Sequence, residues 1–410
     1  MKKHQTQSKV LGMAAMALCA SSLLGCMTDN HSQWVGEGED RWNRLRSSAM
    51  LDMAQGQFDA GALDQADKTV NEAATIDSAN PQLHLMAGRI ALERGELERA
   101  FRLFELSSKL LAELEPAPRP ILAEAYYYQG VVLQRWQQHN AALDAYQSAY
   151  EFEPEKPARM LAVAETLVAL DRIQDAIELL EEKKNYFGLN PGLRAMLGHL
   201  YGMQGEENLA VVNFRQAVML DPENLRLVEE LALAQFAAGH HADAAKGLHR
   251  LIAQPEYKHR SDLHRSLAQV ESAHGRLDAA RDIYIKLTRQ DPSHTNDWLH
   301  LGELCWKLDD LGGALIAANR AMNLAPNRHE SYLLAGLIAQ KRGDIEDAIN
   351  LFDRAATHAP ENDAIPFILR GISLEKTDRR AAAIEAYTEA LRRNPEDLRV
   401  QKLLAHIETP

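Results

Sequence analysis

Catalysis and metal binding need particular side chains at particular spacings, so the cysteines, histidines and glycine-rich strings are placed first. The 410 residues hold three cysteines, Cys19, Cys26 and Cys305, and sixteen histidines. If Cys19 is removed with the amino-terminal segment and Cys26 is modified, as the reading of residues 1–26 below expects, only Cys305 remains as a thiol, which allows no internal disulfide and too few thiolates for a zinc site. Its inward position in a helical pattern suits a small buried hydrophobe. The adjacent His240 and His241 fall in a turn, where polar residues are ordinary. No carboxylate or histidine pattern at i and i+4 accompanies them. HExxH, GxSxG and P-loop strings are absent, and Gly36-Glu37-Gly38 precedes no phosphate-cradling turn. The residues therefore predict no enzyme, no metal, no cofactor and no small-molecule substrate.

The elements that carry these residues are predicted to be helices. Alanine and leucine dominate, aromatics are 6% of the chain, and Val/Ile/Thr clusters are scarce. The formal net charge of −13 includes Lys2, Lys3 and Lys9; without these three it is −16. An acidic chain with no Lys/Arg-rich run is repelled by a phosphate backbone, so nucleic acid is not an expected partner. The same charge keeps a long surface soluble.

Residues 1–25 read as a signal peptide. Met1 to Lys9 carry the three lysines, and Val10 to Gly25 are sixteen apolar or small residues, short of the ~20 a spanning helix needs. Leu23, Leu24, Gly25 and Cys26 resemble the lipobox of bacterial lipoproteins, in which the cysteine is acylated and becomes the new amino terminus. An ordinary secretory signal or an uncleaved anchor is the alternative. Met27 stands where an inner-membrane retention aspartate is usual, so the resemblance implies an outer-membrane lipoprotein facing the periplasm. Acyl chains contribute ~0.8 kcal/mol per buried methylene, enough together for a lasting anchor. Residues 26–46, the lipidated Cys26 and the polar stretch after it, are expected to form a flexible tether.

The rest of the chain repeats itself. Gly130, Ala142, Ala149 and Pro154 recur in type and spacing at 198/210/217/222, 302/314/321/326, 336/348/355/360 and 371/383/390/395. With degenerate copies, the first small residue of each unit steps through 54, 88, 130, 164, 198, 232, 268, 302, 336 and 371. Trp298, Leu301, Gly302, Ala314, Ala321 and Pro326, and likewise Leu197, Gly198, Tyr201, Ala210, Phe214, Ala217 and Pro222, resemble the tetratricopeptide repeat, a helix-turn-helix of 34 residues. Ala318 departs from the pattern where Tyr146, Phe214, Phe352 and Tyr387 stand elsewhere, and Lys183 replaces a small residue. The small residue lets two helices approach, the aromatic fills the contact, Gly95, Gly205, Gly275 and Gly343 serve the turn, and the proline ends the second helix.

The resemblance implies an all-α, right-handed α-solenoid of about ten repeats: two over 47–114, a Pro-rich linker at 115–122, eight over 123–397, and a capping helix at 398–410 carrying Leu403, Leu404 and Ile407 on one face. It also implies a concave groove lined by positions three before and one, four and five after the first small residue. These are Leu299, Glu303, Trp306 and Lys307; Leu333, Leu337, Gln340 and Lys341; Ile368, Ile372, Glu375 and Lys376; and, nearer the amino terminus, Tyr127 and Arg135. Of the neighbouring tyrosines, Tyr126 is expected in the core. A lysine column beside leucine and isoleucine suits an acidic extended or helical peptide. Alternatively, the lysines answer only the dipole at a helix end and the leucines pack between helices. The expected function is a scaffold binding an envelope protein or peptide, or else a structural subunit of an envelope assembly, secretion or polysaccharide-export complex.

Overall fold

A computed structural model describes residues 38–408 of the chain, with the side chain of the last of these excepted. The segment expected to be a signal peptide, the lipobox-like Leu23 to Cys26 and most of the expected tether lie outside the described residues. Every regular element among the described residues is a helix. The contacts divide the chain into two units, Met1–Leu200 and Tyr201–Pro410.

In the first unit, α1 (described over 38–59) pairs with α2 (Leu63–Ile76), α3 (Pro81–Glu93) with α4 (Leu97–Ala112), α5 (Arg119–Arg135) with α6 (His139–Phe152), and α7 (Pro157–Ala169) with α8 (Ile173–Lys183). The division falls within α9 (Pro191–Met203). In the second unit, α10 (Glu207–Leu220) is followed by the pairs α11 (Leu225–Ala237) and α12 (His241–Ile252), α13 (Ser261–Ala273) and α14 (Leu277–Gln290), α15 (Thr295–Lys307) and α16 (Leu311–Leu324), α17 (His329–Arg342) and α18 (Ile345–His358), and α19 (Ile365–Glu375) and α20 (Arg380–Arg393). The final helix is α21 (Leu398–Glu408). Consecutive helices pack on one another from α2 to α8 in the first unit and from α10 to α21 in the second, and α15 also touches α17, as α3 touches α5.

Two boundaries differ from expectation. Residues 38–46, assigned to the tether, are helical. No breaker follows Gly38, and extending a helix already held by packing adds a hydrogen bond for each residue ordered. The linker expected at 115–122 ends at Pro118, which caps α5; Pro120 sits in the first turn, where its missing N–H costs nothing.

Local chemistry sets the helix ends. Asp221, Asp291, Ala325 and Asn394, each before a proline, adopt ψ of 76°, 88°, 80° and 85°, because the proline ring disfavours helical backbone in its predecessor. Between paired helices the chain turns through one left-handed residue. Gly61, Gly95, Gly205, Gly239, Gly275 and Gly343 do so with φ of 74° to 88°, and Gln137, Asp171, Asp309 and Asp378 with φ of 59° to 66°. The next amide then bonds five residues back, as Glu96 N donates to Ala91 O (2.9 Å) and Asp310 N to Cys305 O (2.8 Å), which satisfies orphan helix-end carbonyls.

The core follows the repeat. A Cβ added to Gly88, Gly130, Gly336 or Gly371 would lie 2.4–2.6 Å from the ring of Phe104, Tyr146, Phe352 or Tyr387, sixteen residues onward. Glycine at these places is a seat for an aromatic ring. Where Ala318 replaces the ring, Leu334 from α17 fills the space, its Cδ2 2.6 Å from a Cβ built on Gly302. Cys305 is a free, buried thiol in that cluster, as its position predicts.

Candidate functional site

Three first helices, α15, α17 and α19, carry most of the residues expected to face a groove. Gly302, Gly336 and Gly371 press each helix against its neighbours. The positions one and five residues later turn about 100° and 140° from that contact, whereas the position four later, about 40° round, stays beside it. Leu299, expected at the groove, is instead buried at 5% exposure. Three residues before the glycine still points between helices when the next repeat's Leu334 and Ile338 crowd that side.

The remaining positions separate into packed and free. Trp306 is half-buried against the α15–α17 core. Lys341 lies over its ring, Nζ 5.2 Å from the centroid, donates to the Trp306 carbonyl oxygen (3.1 Å) and pairs with Asp309 (2.8 Å). The middle lysine of the column thus ties α17 to the end of α15. Gln340 Nε2 donates to Ser373 Oγ (3.0 Å), which donates to Leu369 O (2.9 Å), tying α17 to α19. Leu333 and Leu337 are half-buried around Phe352, and Ile368 and Ile372 are half-buried near Tyr387. Glu303 is exposed beside His300 (3.7 Å); pairing with His300 first, then the nearby charge of Lys307, holds its carboxyl below the usual range against partial desolvation. Lys307 and Lys376 are exposed, with no ion pair within 4 Å among the described residues.

In the first unit, Tyr127 is half-buried under a cation that the spacing of the repeat does not reveal. The Arg159 guanidinium lies 4.5 Å from its ring centroid, and Tyr146 and Tyr128 pack at 5.5 and 5.6 Å. Arg159 is itself buried and pairs with buried Glu153 (3.3 Å), which also holds Lys156 (2.7 Å). Burial raises the Tyr146 phenol, which donates to Gln134 (2.9 Å). Arg135 is exposed and donates to Leu92 O (3.3 Å). Tyr126 stacks on Phe152 at 5.8 Å.

A second concavity lies where α8 stops short at Lys183. A cavity of about 570 Å³ is lined by Tyr150, Pro154, Glu182, Lys183, Tyr186 and Phe187 among others. Tyr186 and Leu189 beside it are 72% and 86% exposed. Among the described residues no group of three His, Cys, Asp or Glu could hold a metal ion, and His241 packs its ring against Phe236.

Family models described as tetratricopeptide repeat match residues 192–224, 265–329 and 339–407. These segments contain in full three of the five copies of the glycine, alanine and proline spacing, those that start at Gly198, Gly302 and Gly371. The chain belongs to the tetratricopeptide repeat family. A TPR repeat-containing protein of Methanocaldococcus jannaschii is 22% identical over 295 residues, covering 67% of this chain and 50% of its own length. The chain thus spans about half the length of that curated relative. Two similar solved structures are a tetratricopeptide repeat protein of Parabacteroides merdae (16% identity, 62% of this chain and 98% of that one, TM-score 0.43) and the C-terminal part of a TPR repeat-containing protein of Cytophaga hutchinsonii (13%, 58% and 97%, TM-score 0.48). Tetratricopeptide repeat proteins are in general non-catalytic scaffolds that bind protein partners.

Proposed function

We propose that this tetratricopeptide repeat protein is a non-catalytic scaffold, held at the cell envelope by acylation of Cys26, that binds a partner protein or extended peptide on its first-helix face. The lipobox and Met27 favour the outer membrane, with the repeats in the periplasm. One arrangement carries the binding assignment: exposed, unpaired Lys307 and Lys376 flank half-exposed Leu333, Leu337, Ile368 and Ile372 on an otherwise acidic chain. Apolar side chains beside free cations suit a peptide that brings both hydrophobic and acidic groups.

The test is crosslinking of the acylated protein in its native cells, followed by recovery of bound partners. The triple variant Trp306→Ala, Lys307→Ala, Lys376→Ala is the comparison. One envelope protein captured by the wild type and lost from the variant supports the first-helix face; equal capture by both rejects it.

A second reading, a structural subunit of an envelope assembly, secretion or polysaccharide-export complex, draws support from exposed Tyr186 and Leu189 beside the cavity at the end of α8. Obligate co-purification with one large complex, insensitive to the triple variant and abolished by Tyr186→Ser with Leu189→Ser, favours that reading.

A further inference from the structure

Helix α1 has two apolar faces, and only one has a partner within the described chain. Inward, Ser47 and Ala54 are buried, and Met50, Leu51 and Phe58 pack around Ala66, Val70 and Ile90. Ser47 Oγ reaches Asp77 Oδ2 at 3.1 Å. Outward, Trp42, Leu45 and Met53 are 65%, 61% and 51% exposed, and Ala49 between them is exposed too. With 3.6 residues per turn, these four project within a sector of about 80°, on the side opposite the core residues. An exposed tryptophan and leucine at that spacing cost free energy in water unless something covers them.

The charges around the stripe indicate what does. Residues 41–51 contain three arginines, Arg41, Arg44 and Arg46, and no carboxylate, on a chain whose net charge is −13. Arg41 and Arg46 border the stripe on opposite sides, and none of the three guanidiniums is in an ion pair with a described residue. Asp40, directly before Arg41, and Asp52 bound this basic stretch. Apolar residues that include tryptophan, edged by arginine, match a bilayer interface: the indole settles at headgroup depth, and each guanidinium can bind a phosphate in a fork.

We infer that the outward face of α1 lies on a membrane surface containing anionic phospholipid, resting on the reading of Cys26 as the lipid anchor. Trp42 follows Cys26 by sixteen residues. Only the twelve residues before α1, which is described from Gly38, can extend, a reach of at most ~43 Å, so the anchor keeps the stripe at high effective concentration near the bilayer. The contact would also set which way the first repeats face, with the helix held along the surface and the core side turned from it.

The experiment uses the acylated full chain reconstituted into vesicles of phosphatidylglycerol and phosphatidylcholine, with flotation as the readout of anchoring. Brominated acyl chains quench nearby indoles, and the difference between wild type and Trp42→Phe isolates Trp42 from the other tryptophans. Quenching of Trp42 in phosphatidylglycerol vesicles, falling in pure phosphatidylcholine, is the expected result. Arg41→Gln with Arg46→Gln should lower the docked-to-undocked ratio about fivefold per arginine. Flotation without quenching of Trp42 overturns the inference and leaves the anchor standing, as does a Trp42 shielded from lipid within a dimer of the chain. Failure to float overturns the anchor reading and this one with it.

Discussion

Gly336 and Phe352 show how a single residue type can be required by another far along the chain. The methyl group of an alanine at 336 would start 2.5 Å from the ring of Phe352, whose own position is fully buried. Helix propensity alone favours alanine there by about 1 kcal/mol. Overpacking opposes it and, against a buried ring, prevails. Gly336→Ala is expected to destabilise by about 1–2 kcal/mol. Adding Phe352→Leu, which restores space, should recover part of that loss. Denaturation of both single variants and the double gives the coupling; strict additivity would show that ring and glycine do not share the contact. The chain already contains this exchange: Ala54, Ala164 and Ala232 precede Val70, Leu180 and Leu248 by the spacing at which glycine precedes Phe104, Tyr146, Phe352 and Tyr387. Ala268 with Tyr284 departs from the rule, and nothing in the structure explains how that ring is accommodated.

Among elements, the turn between paired helices is the most uniform. It places a left-handed residue seven after the first small residue of every repeat, whichever amino acid stands there. Glycine takes that conformation freely, and aspartate is helped by its short polar side chain. Gln137, at φ 59°, has neither advantage. Gln137→Gly is therefore expected to stabilise the α5–α6 pair by roughly 0.5–1 kcal/mol, the strain relieved exceeding the added freedom of the unfolded chain. Slower hydrogen exchange of the amides in α5 and α6 would report it, and faster exchange would refute it. First helices share a second device: a side chain bonds a carbonyl six residues back, as Trp298 Nε1 does to Pro292 O (2.9 Å) and Tyr332 to Pro326 O (2.8 Å). Gln401 of α21 makes the same bond to Pro395 O (2.8 Å), so the last helix sits in first-helix register.

For the molecule, repeats that contact chiefly their neighbours make the exposed end of an array its weak point. Helix α21 covers that end in the second unit: Val400 is 1% exposed, and Leu403, Leu404 and Ile407 pack against the cluster around Tyr387. Removing residues 398–410 loses the burial of Val400, about 1.5–3 kcal/mol alone, and uncovers part of Tyr387's surroundings. Faster hydrogen exchange across α19 and α20, with concentration-dependent association in sedimentation, is the expected outcome. Unchanged exchange in both helices would mean that α21 is not a cap.

What could be read without coordinates is whatever recurs with the period. Helix order, the small-residue seats, their aromatic partners and the proline stops repeat every 34 or 35 residues in most copies, so each copy corroborates the others. Only the tertiary structure separated the lysines. Lys307, Lys341 and Lys376 are equivalent in spacing, yet Lys341 is occupied by Trp306 and Asp309 of the preceding repeat while the other two are free. Likewise Arg159 over Tyr127, and buried Leu299, were legible only in space. Periodicity determines the direction in which a side chain leaves its helix, whereas its freedom depends on groups a full repeat away. Those groups vary from copy to copy, and it is their packing and charge that decide which residues remain for a partner.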